Sequence, residues 1–370
     1  MIQSELLQGI LCESIHLYGD IKCKPLTRKK RRPGVTLRDS FSKRSTNSSC
    51  ISNIPAKYQI FFIPGNPGCL IYYEKFFKIL HECCCNSKRD YRVELHAVAH
   101  AGHHLSNINK NCNNQNNKCR ITYSLEEQNI HQAAFIKRHA DISESTEIMI
   151  IGHSIGAYMI GRITELLSSS SSSSSIVTRI KDLILLMPFV KWRNLPLLHR
   201  CQLRCFQSLL PFSKQLALLS LPLIPNTLLK VALSTATPKE YVDHAVDTIQ
   251  KVGSNFLSMG VDEIQTISNQ QENMKGLDLL GKLRFYGSNF RSAYALYTLD
   301  DNWAPIEDIV DLKKDVFPSL QYDIVPNLVH SFSLDEYMSR FVAAIIARQV
   351  NPGLRGTTMP MSGHGIRSKL

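Results

Sequence analysis

A chain of 370 residues, 44% of them hydrophobic, can bury a sizeable core, enough for one large α/β domain with an insertion or for two domains. Its formal charge of +12 suggests nucleic acid only until the charge is located: residues 21–50 hold ten Lys and Arg against the single acid Asp39, which leaves residues 51–350 at +3. That segment is polar and nearly free of large apolar groups, so it reads as a disordered, solvated loop, and a nucleic-acid partner is not expected.

The eleven cysteines are odd in number and irregularly spaced, with no CxxC pair. Glu5 interrupts MIQSELLQGIL, so no secretory leader is expected there, and reduced thiols in an intracellular compartment fit this usage. His199, Cys201 and Cys205 are too few ligands for a zinc site. The longest uncharged apolar candidate, residues 215–229, carries two prolines and falls short of the roughly 20 residues a membrane span needs.

In chain order, 7–19 has β character and is expected as an opening strand, and the apolar run 58–63 as a strand covered on both faces. Residues 69–84 space Tyr72, Phe76, Ile79 and Leu80 at helical intervals, and 91–100 is the next strand. An asparagine-rich loop (106–118) precedes an amphipathic helix over 124–140, opened by Ser124 with Glu127 three residues on, a capping box. A strand then runs into Gly152, a helix starts from Gly156, and the serine run 168–175 is expected as a disordered loop. Residues 181–190 form another buried strand, and 191–283 are leucine-rich and helical without strand alternation. Strands return at 292–303 and 319–327, and 333–350 is a closing helix. Alternating strands and helices with apolar strands predict an α/β fold with a mostly parallel sheet. The core is expected over 1–190 and 284–350, with a helical cap inserted at 191–283 and a disordered tail at 351–370.

Gly152-His153-Ser154-Ile155-Gly156 matches G-x-S-x-G between an apolar strand and a helix, the context of a nucleophile elbow. The glycines let neighbouring backbones close on a strained turn that lifts the Ser154 hydroxyl clear of the sheet. A serine needs a base and an acid that orients the base, expected in the order Ser, Asp/Glu, His at later strand ends. His330 is the base candidate, and Asp301 or the adjacent Asp300 the acid, since spacing does not choose between them. Oxyanion donors are expected from the backbone N–H of Ile155 and from Asn66 in the loop Ile63-Pro64-Gly65-Asn66-Pro67-Gly68. His96 and His100, four apart in strand-like sequence, would stand about 13 Å apart and cannot share a metal. The segment therefore gives no metal site, with His103 and His104 beside it, and no cofactor is expected.

Several stretches together resemble the lipid-droplet-associated hydrolases of the α/β-hydrolase superfamily. They are FFIPGNPGCLIYYEKFF, HAGHH, YSLEEQNIHQAAFI, GHSIGAY, DNWAP and NLVHSF, and they run over about residues 58–350. The D-x-W-x-P match selects Asp301 as the acid, and the HAGH segment is expected as a loop facing the site mouth. The resemblance implies the α/β-hydrolase fold and an ester hydrolase acting on neutral lipid, sterol esters among them, at a lipid-droplet surface. An acyltransferase with the same triad, or a non-catalytic droplet-surface protein, are the competing readings. The leucine-rich insertion with Arg200, Arg204 and Lys214 has two readings, an interfacial hairpin on a lipid monolayer or the packing of the cap over an acyl pocket. Ser368-Lys369-Leu370 at the end of the chain reads as a peroxisomal address, with an import receptor as partner.

Overall fold

The computed structural model describes residues 2–7, 10–18, 57–85, 92–103, 122–143, 145–169, 174–190, 201, 224–234, 238–272, 290–299 and 301–350. The basic segment 21–50, the asparagine-rich loop, most of 191–223 and the tail 351–370 lie outside the described residues, as do His104, His199, Cys205 and Asp300.

An eight-stranded sheet organises the molecule. Its strands are β1 (Ile2–Leu7), β2 (Ile10–Tyr18), β3 (Lys57–Ile63), β4 (Arg92–Val98), β5 (Thr146–His153), β6 (Ile180–Leu186), β7 (Ser292–Tyr297) and β8 (Gln321–Ile324). They lie in the order β1-β2-β4-β3-β5-β6-β7-β8. From β4 to β8 every pairing is parallel, while β1 and β2 form an antiparallel hairpin laid against β4. The opening strand expected over 7–19 is β2, and β1, which pairs with it as a hairpin, was not expected. Residues 2–7 alternate apolar and polar weakly, and only pairing with β2 organises them as a strand.

Helices α1 (Glu74–Cys85), α2 (Leu125–His139), α3 (Ile155–Ser168), α4 (Ser174–Arg179), α8 (Asp308–Asp315) and α9 (Glu336–Val350) flank the sheet. Between β6 and β7 come α5 (Asn226–Leu233), α6 (Val242–Asp247) and α7 (Gly253–Glu272), which form the described part of the inserted cap. The serine run 168–175, expected as a loop, is helical at both its ends. Ser168 closes α3, its hydroxyl donating to the Glu165 carbonyl at 2.7 Å, and Ser174 and Ser175 open α4; residues 170–173 lie outside the described set. Helix α8 was not expected from the sequence, although Ile309 and Leu312 form its buried face. No helix among the described residues is long and apolar enough to cross a membrane.

Strands β3, β5 and β6 are buried almost throughout, as continuous apolar runs require. Phe61, Phe62, Ile150, Ile151, Ile184 and Leu185 fill the two faces of the central sheet. Ser124 and Glu127 form the capping box that starts α2, each side chain satisfying the other's amide. One buried polar cluster ties three strands together at the end opposite the site. Fully buried Asp182 accepts from Tyr58 Oη at 2.5 Å and Ser292 Oγ at 2.6 Å and pairs with Arg291. Asp182→Ala strands the buried Tyr58 hydroxyl and leaves Arg291 with Glu147 alone, so it should cost roughly 2–3 kcal/mol, read as a lowered denaturant midpoint with an unchanged slope.

Candidate active site

Ser154 sits between β5 and α3 with φ 55° and ψ −124°, a left-handed backbone that few non-glycine residues adopt. The strain is sustained by close packing. A Cβ on Gly152 would lie 2.5 Å from Ala157 Cα, and one on Gly156 would lie 2.4 Å from the Ile63 carbonyl oxygen. Neither position accepts a side chain without moving backbone. The turn is pinned to the sheet by Ser154 N–H to Leu186 O at 2.9 Å and Phe189 N–H to Ser154 O at 3.2 Å.

Asp301 and His330 follow the ends of β7 and β8 and meet: His330 Nδ1 donates to Asp301 Oδ2 at 2.6 Å. The other carboxylate oxygen accepts from the amides of Trp303 (2.8 Å) and Ala304 (3.2 Å), so the DNWAP turn folds around its own aspartate. Burial alone would raise the Asp301 pKa, but His330 and the two amides outweigh it and hold the carboxyl below its ordinary value. Ser154 and His330 open onto the same cavity of about 530 Å³, walled by Phe189, Trp303, Leu257 and Ile264.

The loop Pro64–Gly68 forms the facing wall. Gly65 N–H donates to Tyr73 Oη and Gly68 N–H to His103 Nδ1, both at 3.2 Å, and the prolines have no N–H to give. Asn66 is thus the loop amide with no acceptor among the described residues. Ile155, as the first residue of α3, has no intrahelical acceptor for its N–H either. Asn66 lines the same cavity as Ser154, and Ile155 follows the serine directly.

His100 and His103 do not face the mouth as expected. Both are fully buried behind the loop, where the His100 amide donates to Gly68 O at 3.2 Å and burial pushes the His100 pKa well down. Helix α2 holds this segment: Gln128 bonds both N–H and C=O of Ala101, and Gln132 reaches Val98 O and His100 Nδ1. The glutamines of YSLEEQNIHQ and the histidines of HAGH are one scaffold under the loop that carries Asn66.

Two residues near the serine were missed in the sequence. His153, the variable residue of the elbow motif, accepts from Tyr73 Oη at 2.7 Å and donates from Nε2 to the His330 carbonyl at 3.0 Å. Burial, with His330 next to it, lowers its pKa to about 3, so it is a neutral strut. Its place inside GHSIG was the available signal. Glu263 on α7 carried none. It is buried against the cavity, bonds the Asn66 side chain, and burial raises its pKa to about 8. Asn66 Nδ2 also donates to Phe256 O at 3.1 Å, so the cap helix grips the loop at two points.

Residues 56–333 match the model of the lipid-droplet associated hydrolase family. The chain belongs to that family. The family's murine lipid droplet-associated hydrolase is 26% identical over 308 residues, covering 80% of this chain and 85% of its own. Among solved structures, a peroxisomal alpha-beta-hydrolase of Saccharomyces cerevisiae shares the fold at a TM-score of 0.54 and 13% identity, covering 100% of this chain and 93% of its own. A carboxylesterase of Nitrososphaera gargenis does so at 0.52 and 14%, covering 95% and 100%. The family member described here is thus a hydrolase of the α/β-hydrolase fold.

Glu263 gives a test of the site's electrostatics. The unfolded chain releases the proton near the ordinary value of 4.5, whereas the folded protein holds it to about 8. Between those values the folded state binds the extra proton, so stability falls as pH rises. Glu263→Gln keeps the shape of the neutral acid and removes that loss. It should stabilise by roughly 1–3 kcal/mol at about pH 8 and by little at about pH 4, measured by denaturant titration at both.

Proposed function

We propose that this hydrolase cleaves carboxylic esters of neutral lipids, sterol esters among them, with Ser154 as nucleophile, His330 as base and Asp301 as the acid that orients it. The observation that carries the reading is the short His330–Asp301 hydrogen bond beside a serine on a strained elbow, at the wall of an apolar cavity.

In this reading Ser154 Oγ attacks the ester carbonyl carbon while His330 Nε2 takes the hydroxyl proton. Asp301, below its ordinary pKa, stays ionised and stabilises the imidazolium through Nδ1–H. The oxyanion receives the amides of Asn66 and Ile155. Collapse breaks the C–O bond, and His330 passes its proton to the departing alcohol, leaving an acyl-enzyme. Water, deprotonated by His330, attacks that acyl carbon, and release of the fatty acid returns Ser154 its proton. Phe189, Trp303, Leu257 and Ile264 give an acyl chain an apolar wall, which favours a lipid ester over a polar one. The droplet surface, the location that names the family, is the proposed place of work, with its monolayer supplying the substrate.

Ser154→Ala should abolish hydrolysis of a long-chain ester and labelling by a fluorophosphonate while leaving the melting temperature nearly unchanged. Asp301→Asn should lower kcat by roughly 10⁴-fold with KM little altered, through loss of the working imidazole tautomer. Full activity in either variant, assayed on emulsified triacylglycerol and cholesteryl ester, overturns the assignment.

A further inference from the structure

A second cluster of titratable groups lies away from the serine, on the flank where the amino-terminal hairpin joins the sheet. His16 of β2 and His96 of β4 are directly opposed in the antiparallel register, and His139 ends α2 beside them. Their ring centroids are 5.1 Å (His16–His96), 4.6 Å (His16–His139) and 6.0 Å (His96–His139) apart. One nitrogen from each lies within 4.8 Å of the others. A tetrahedral centre with metal–nitrogen bonds of about 2.0–2.1 Å would set ligand nitrogens about 3.3 Å and imidazole centroids about 5 Å apart. The observed rings bracket that spacing.

The surroundings also sort the nitrogens. His96 Nδ1 points at His16 Nδ1, 2.8 Å away, while its Nε2 lies 3.4 Å from Glu94 Oε2. Gln59 Nε2 lies 2.8 Å from Glu94 Oε2, 3.2 Å from the His139 carbonyl and 3.4 Å from His96 Nε2; with its two hydrogens on the nearer oxygens, the His96–Glu94 contact takes the proton on His96 Nε2. That leaves Nδ1 of His96 as a lone-pair donor facing His16, whose own Nε2 is tied to Ser14 Oγ at 3.0 Å. A carboxylate behind one imidazole and a hydroxyl behind another are the outer partners that orient histidine ligands. Nearby charge does not oppose a cation, since Glu94 and Asp141 balance Lys57 and Arg92.

We propose that His16, His96 and His139 form a binding site for a divalent transition metal, zinc or a metal of similar preference, that staples the β1–β2 hairpin to β4 and α2. Imidazole nitrogens without thiolates select zinc, copper, nickel or cobalt over magnesium and calcium. Three protein ligands leave a fourth position for water, reachable because His16 and His139 are only partly buried. The site links residues far apart in the chain, and the hairpin otherwise meets the central sheet through β4 alone. A metal bound only by the folded state would raise the stability of that attachment.

Chelator-treated full-length protein titrated with Co²⁺ tests the proposal, because tetrahedral cobalt has visible d–d bands. The cysteines are a rival destination, and a thiolate site announces itself by an intense near-ultraviolet charge-transfer band that an all-imidazole site lacks. Wild type should take up one Co²⁺ without that band, and stoichiometric Zn²⁺ should displace it and raise the melting temperature. His16→Gln and His139→Gln, both at partly exposed positions, should each weaken Co²⁺ at least about tenfold and remove the zinc-dependent shift. Fluorophosphonate labelling of Ser154 in the same samples reports that the fold is intact. No uptake by wild type, uptake with the thiolate band only, or unchanged affinity in both variants overturns it.

Discussion

The architecture of the site depends on one steric constraint, the crossing of the Ser154 turn with the backbone of β3. Gly156 packs so closely under the Ile63 carbonyl that a single methyl group would collide with it, and Gly152 is pressed as closely against Ala157. That contact fixes how far the turn rises from the sheet and therefore where the serine hydroxyl stands. It also places the end of β3, and with it the Pro64–Gly68 loop, directly beside the serine. Strain of this kind persists only where the surrounding packing over-determines it. Here the overdetermination comes from β5 lying between β3 and β6, with every neighbouring residue buried.

A chain of hydrogen bonds carries that fixed position outward. Gly65 N–H meets Tyr73 Oη, Tyr73 meets His153 Nδ1, and His153 Nε2 meets the His330 carbonyl. Four segments distant in sequence, the β3 loop, the start of α1, the elbow and the β8 loop, are thereby set relative to one another. Every link is buried or nearly so, where an unmade hydrogen bond is costly and a complete network rigid. The cap enters the same system through Asn66, whose side-chain amide is shared between the Phe256 carbonyl and Glu263. Asn255 adds a second anchor by bonding the Gly102 carbonyl and the Tyr123 amide. Helix α7 is consequently coupled to the loop that carries Asn66.

The central elements were legible because their signals are local. Continuous apolar runs marked β3, β5 and β6, and Ser124 with Glu127 marked the start of α2. GHSIG placed a serine on a strand-to-helix turn, and the chain order put His330 and either Asp300 or Asp301 at later strand ends; the D-x-W-x-P resemblance selected Asp301, which the structure brings within a hydrogen bond of His330. What stayed hidden is what depends on partners remote in sequence. Residues 2–7 become a strand only against β2, and Glu263 becomes a cavity residue only because α7 folds back over Asn66. His96 was weighed as a ligand against His100, four residues away on its own strand. Its neighbour across the sheet is His16, eighty positions earlier, and only the register of β2 on β4 reveals it.

Burial sorts the ionisable groups around the serine in a way that composition could not convey. His153 is held neutral because burial lowers its pKa to about 3, and Glu263 is held neutral because burial raises its pKa to about 8. Asp301 goes the other way, since His330 and two amides outweigh its burial. At neutral pH the Asp301 carboxylate meets His330 Nδ1, while His153 and Glu263 beside the site carry no charge. On the proposed mechanism this asymmetry directs the proton: an imidazolium is stabilised at His330 beside Asp301, while His153, its ring centroid 5.0 Å away, stays uncharged. The same neutrality suits the ligand. A cavity walled by Phe189, Trp303, Leu257 and Ile264, with its one additional acid kept protonated, presents an acyl chain with no charge to desolvate. On that proposal, polar chemistry is confined to the atoms around the ester, and most of the remaining wall is apolar.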